Sequence, residues 1–196
     1  MIKKTTIVFT IVILSCIFLL FCKANSYADT FQIKQTSISE SESYAKKPFF
    51  YLYFGSQDFG NKNFTNTENQ FLHAVEQPLT HKKTPEELGQ HIINALIEGP
   101  KTRNLIRTIP VGTKLRALYL TKKGEAFVDF NSAISNNHPG GIQTEILTIY
   151  SIVNSLILNI DQIKTVKILI NGLESNTLAG HIDLRFPLTA NMMIVR

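Results

Sequence analysis

"TKLRALYLTKKGEAFVDF", residues 113–130, decides the fold. Two alternating runs, Lys114 to Leu120 and Glu125 to Phe130, meet at Lys123-Gly124, the pattern of two antiparallel strands joined by a tight turn. Upstream, "TPEELGQHIINALIEGP" (84–100) carries the marks of a helix: a capping box of Thr84 and Glu87, proline at the first helical position, and Gly99-Pro100 as the stop. Leu88, Ile92, Ala95 and Leu96 form its inward stripe. Downstream, a second helix is expected from about Ile142 to Asn159. The outer strands are expected at Pro48–Phe54, Gln70–Leu79, Thr165–Ile170 and His181–Pro187, with Asn171-Gly172 opening the last connection. This order predicts an α+β domain over residues 48–190, two helices on one face of one mostly antiparallel sheet, and a short tail at 191–196.

A chain of 196 residues, 44% hydrophobic, suits one such domain. Its net charge of +5 owes three lysines to the first 28 residues, and the remaining 17 Lys+Arg against 15 Asp+Glu leave +2. That balance argues against a nucleic-acid partner. Both cysteines, Cys16 and Cys22, lie in the same leader, so the body has no disulfide and no thiolate chemistry. "MIKK", the apolar run from Ile7 and "KANSYADT" read as a secretory signal cleaved after Ala28, as an uncleaved anchor, or as a segment lipidated at Cys16. All three place the body outside the cytoplasm, in the periplasm or on the outer face of the cytoplasmic membrane, with membrane contact only through this segment. Residues 29–47, polar and serine-rich, read as a tether.

Chemistry has few candidates. There is no HExxH and no GxSxG. His181 and Asp183 share a face if "GHIDLRFPL" (180–188) is extended, and Glu145 is the acidic residue that could join them in a hydrolase or metal site. The alternative is architecture, with Gly180 supplying backbone freedom and His181 and Asp183 fixing the last strand. "HPGG" (138–141) reads as a connector before the second helix. On that helix Ile142, Ile146, Ile149, Val153, Leu156, Ile157 and Ile160 form the core-facing stripe. Leu147, Ser151, Asn154 and Leu158 fall on the opposite side, an expected exposed ridge for a protein partner. Phe50, Tyr51, Tyr53 and Phe54 would line a site for cell-wall glycan or a small ligand if they were not core.

"LIEGP" (96–100), "IPVGT" (109–113), "AFVDF" (126–130), "SIVNSL" (151–156), "VKILING" (166–172) and "TLAGHIDL" (177–184) stand in an order and spacing that resembles the GerM domain family, named for a spore germination and sporulation protein. The resemblance covers about Phe49 to Leu188, in one copy where the founding members carry two. It implies an exported or lipid-anchored protein with a small fold like the ring-building domains of envelope-spanning assemblies, no known enzymatic activity and no cofactor. Gly99, Pro100, Pro110, Gly112, Gly172, Gly180, His181 and Asp183 stand within the matching elements as structural positions, and Glu145 joins them if it enters a structural hydrogen-bond network at the helix start. The function expected is a non-catalytic envelope domain that scaffolds or assembles complexes with other envelope proteins, copies of itself among the candidates.

Overall fold

In this computed structural model the hairpin forms where its pattern sets it: β4 (Leu115–Leu120) pairs antiparallel with β5 (Glu125–Phe130). Gly124 turns at φ 87, where a Cβ would stand 2.8 Å from the Gln162 carbonyl oxygen, so glycine is required twice over. The structure describes residues 48–57, 71–81 and 83–196; the expected leader and the 29–47 tether lie outside the described residues.

The other elements are β1 (Phe49–Ser56), β2 (Leu72–Pro78), α1 (Pro85–Glu98), β3 (Leu105–Ile106), α2 (Ala133–Asn136), α3 (Ile142–Ile157), β6 (Thr165–Ile170) and β7 (Leu173–Glu174), with a 3-10 turn at Met192–Ile194. The α+β class holds. The expected single sheet divides into two, ordered β2-β1-β3 and β4-β5-β6-β7. All strand pairs are antiparallel except β5–β6, which is parallel because α2 and α3 form the crossover between them. Helix α3 packs against β1 of one sheet, β6 of the other, and α1. A helix held between two sheets must satisfy groups on more than one side, and that governs the site.

Helix α1 begins and ends as its sequence directs. Thr84 accepts from the Glu87 amide (3.2 Å) while the Glu87 carboxylate accepts from the Thr84 amide (2.9 Å). Gly99, at φ 89, closes the last turn, and the Arg107 guanidinium donates to the carbonyls of Ile97 and Glu98 (2.7 Å to the latter). Pro100 follows outside the helix. Two details differ from the periodicity. Ile142, expected in the core stripe, is 53% exposed at the first turn of α3, whereas Ile149, Val153, Leu156 and Ile160 are buried. The expected strand His181–Pro187 does not form; only single bridges join Thr177 to Asp183 and Val166 to Leu188. The amides of that segment have another acceptor.

Candidate functional site: the start of helix α3

That acceptor is Glu145, one turn into α3 and 0% exposed. Its Oε1 accepts from the amides of Leu178 (3.0 Å), Ala179 (2.9 Å) and Ile182 (3.1 Å), and its Oε2 from the amide (2.9 Å) and Nδ1 (3.0 Å) of His181. Five donors converging on one carboxylate fold residues 178–182 into a cup, which is why they cannot form a strand ladder. Gly180 sits at φ 105 with open space around a would-be Cβ, so its role is backbone freedom alone. Burial raises the Glu145 pKa, and the amides of Ala179, Ile182 and His181 with the His181 ring together outweigh it, leaving the carboxyl below its ordinary value. A carboxylate has about four lone-pair sites, so this one has no capacity left for a substrate proton or a metal.

Asp183 does not join the cluster that would have made a three-residue site. Its carboxylate is held by Arg185, through the backbone amide (2.9 Å) and a bidentate guanidinium pair, which lowers its pKa to about 2. Among the described residues no three His, Cys, Asp or Glu side chains gather to hold a metal.

On another side of α3, a second network was not foreseen. The Gly140 amide donates to His138 Nδ1 (3.0 Å), which fixes the ring proton on Nε2, 3.1 Å from Thr148 Oγ1. Thr148 Oγ1 passes its own proton to the Thr108 carbonyl (2.6 Å), while Thr108 Oγ1 donates to Ser151 Oγ (2.9 Å) and Ser151 to the Thr148 carbonyl (3.1 Å). Burial, first, and the nearby His181 lower the His138 pKa against the opposing pull of Glu145 and the Thr144 backbone. A histidine depressed in the fold is neutral there; its stabilising share is complete above the ordinary value near 6.5 and declines as pH falls toward the folded value. The expected result is a thermal midpoint that falls between about pH 7.5 and about pH 5.5, with His138→Gln, which keeps one acceptor and one donor, showing a shallower slope. Equal slopes in both proteins would show that His138 does not carry the dependence.

The ridge expected on the surface of α3 is buried at three of its four positions. Leu147 is 3% exposed, Ser151 and Asn154 are fully buried, and only Leu158, at 39%, reaches solvent. The β2-β1-β3 sheet and the chain's end cover that side. Leu147 packs with Tyr53, Leu72 and Ile194, and Asn154 exchanges two 2.9 Å bonds with the backbone of Asn191. Neighbouring Ser155 accepts from the Tyr53 amide (3.1 Å), and Asn159 pairs with both the amide and carbonyl of Tyr51 (2.7 Å each). Side chains of α3 and of the turn after it thus bond to the edge of β1 where β3 is too short to reach. Phe50, Tyr53 and Phe54 are buried, as core aromatics are, and Phe54 also lines a small cavity of about 60 Å³ beside the end of α1. Among the described residues, Thr113 Oγ1 is the one buried side-chain polar atom without a partner.

What α3 leaves accessible is a cleft of about 210 Å³ between residues 106–111 and the helix's first turns. Ile106, Ile109, Pro110, Pro139 and Leu147 line it, and Val111, 72% exposed, stands at its rim. Gly112, at φ 87, and the Thr113 amide, which donates to the Pro110 carbonyl (3.2 Å), form the turn that presents Val111. Gly172 shapes the β6–β7 turn, where its amide donates to Asp129 (2.7 Å). Among the described residues no helix is long and apolar enough to cross a membrane.

A buried helix between two small sheets, with most of its polar groups bonded to backbone, defines a small α+β domain. The chain belongs to the Germane family, described as sporulation and spore germination, whose pattern matches residues 51–176. No curated protein matches the sequence. In fold it is similar to a candidate lipoprotein from Clostridium perfringens, with a TM-score of 0.50 and 22% identity over 76% of this chain and 91% of that one. It is also similar to the first GerMN domain of the sporulation protein GerM from Bacillus subtilis, with a TM-score of 0.55 and 19% identity over 72% of this chain and 97% of that domain. Against the tandem GerMN domains of the same protein it covers 46% of the other chain.

Proposed function

We propose that this protein is an exported, non-catalytic cell-envelope domain of the sporulation and germination type, which assembles protein complexes by docking a partner in the cleft beside α3. The observation that carries the reading is the cleft itself: a mostly apolar slot at the surface, rimmed by the exposed Val111. Exposed apolar groups around a concavity favour a protein partner. The saturation of Glu145 removes the strongest acid-base candidate from catalysis. Export is supported by the signal-like first 28 residues and by the similarity to a candidate lipoprotein.

A photo-crosslinking residue at Val111 tests this in intact cells. The expected outcome is a discrete adduct in the envelope fraction, absent when the same residue replaces Lys123 in the hairpin turn. Recovery of the chain from the cytoplasm, or a folded protein that gives no adduct from Val111, overturns the proposal. An adduct at twice the chain's mass would identify a second copy as the partner.

A further inference from the structure

Asn171-Gly172 is the one Asn-Gly pair in the chain. Ile170 pairs with Leu173, which leaves these two residues as a two-residue hairpin turn, at φ 54 and φ 79. The pair suits the turn and carries a chemical liability. With no Cβ on Gly172 to obstruct it, the Gly172 nitrogen can lose its proton and attack the side-chain carbonyl carbon of Asn171. A bond then forms between that nitrogen and Cγ, the bond from Cγ to the side-chain nitrogen breaks, and ammonia leaves behind a cyclic imide. Water opens the ring at either carbonyl, giving aspartate or isoaspartate. Asn171 is exposed, so the water is at hand.

The fold holds the nitrogen that would react. The Gly172 amide donates to Asp129 Oδ1 (2.7 Å), and the Asn171 amide donates to the Phe130 carbonyl (2.7 Å), so the turn is tied to the end of β5 at both of its amides. Asp129 is itself fixed, 7% exposed, with its other oxygen 3.3 Å from the Arg116 guanidinium of β4. Two costs follow for the attack. The nitrogen must lose its proton while facing a carboxylate, which disfavours the new negative charge, and the bond it makes favours the protonated amide. The peptide must also swing its nitrogen away from Asp129 toward its own side chain, which breaks a hydrogen bond to a charged acceptor. We infer that Asn171 is a deamidation site held in check by Asp129. What the check preserves lies beyond the turn: isoaspartate adds a carbon to the backbone of a two-residue connection, and the next strand carries Glu174, which accepts from the buried Lys167 ammonium (3.0 Å).

The test ages the folded full chain at mildly alkaline pH and reads aspartate and isoaspartate at residue 171 by peptide mapping. A synthetic peptide spanning Lys167 to Asn176 and the chain unfolded in guanidinium are aged beside it. The folded parent is expected to react at least about tenfold more slowly than the peptide, and the unfolded chain at the peptide's rate. Asp129→Asn keeps an acceptor for the Gly172 amide and drops the charge, whereas Asp129→Ala removes both. Each, once shown to be folded by its urea midpoint, should lose Asn171 about tenfold faster than the parent. Arg116→Ala leaves the bond to Gly172 in place and should react no faster than the parent. Hydrogen exchange at the Gly172 amide proceeds through loss of the same proton, so it reads the check with no substitution at all; it should be at least about tenfold slower in the folded parent than in the peptide. The inference is overturned if the folded parent ages or exchanges at the peptide's rate, if the folded Asp129 variants age no faster than the parent, or if Arg116→Ala speeds the reaction as much as they do.

Discussion

Glu145→Gln is expected to lower stability by about 3 to 5 kcal/mol, the range for breaking a buried charged cluster by changing one member. The substitution keeps the shape and removes the charge. It also replaces an oxygen that accepts by an NH2 that must donate, and the atoms facing it are the amides of Leu178, Ala179, His181 and Ile182, none of which can accept. Since small domains are stable by only about 5–15 kcal/mol, the loss should be visible as a large shift in urea midpoint. The pH dependence separates this from ordinary packing damage. Glu145 titrates below its ordinary value in the fold, so its contribution is present above the unfolded value near 4.5 and is lost as pH falls through the folded one. The variant should lack that acid-side loss. His181→Ala should cost less than Glu145→Gln, since it removes the ring bond and keeps all four amides. Equal stability of Glu145→Gln and the parent would show that the cup is held by something other than the carboxylate.

Much of the architecture was legible because it was written in local signals. The Lys123-Gly124 turn, the Thr84/Glu87 box and the Gly99-Pro100 stop each depend on one or two residues and their own backbone. The division into two sheets was not legible, because which strands pair is set by long-range packing of β1 against α3. The strand expected at His181–Pro187 fails for the same reason: an alternating run looks extended until a distant carboxylate takes the amides of His181 and Ile182 at its start. On α3 the error had a signal. Ser151 and Asn154 read as part of an exposed ridge, yet from Ile146 to Ile160 the sequence has no Lys, Arg, Asp or Glu. A solvated face normally carries charge, whereas small neutral polar residues can be buried once they find backbone partners, as these do. Of the candidate cluster Glu145, His181 and Asp183, the fold joins Glu145 to His181, while Asp183, two residues from His181, is captured by Arg185 instead.

Leu147→Asp and Leu158→Asp, one ridge in the sequence, are expected to part company. Leu147 is packed between Tyr53, Leu72 and Ile194, so an aspartate there loses the leucine's burial and places a charge where no partner waits. Truncation of a buried leucine alone costs about 2 to 5 kcal/mol, and the unpaired carboxylate adds to it. Leu158, at the end of α3 and 39% exposed, should tolerate the same change within about 0.5 kcal/mol. Urea unfolding of the two single variants reads this directly: the first should be unfolded or nearly so in buffer, the second close to the parent. Loss of binding in the Leu147 variant would then report unfolding and say nothing of a surface ridge. A milder Leu147→Ala, still folded, would test whether an apolar side chain needs that floor beneath it. If Leu147→Asp folds with the parent's stability, the β2-β1-β3 sheet does not close over α3, and the buried polar contacts from Ser151 to Asn159 fall with it.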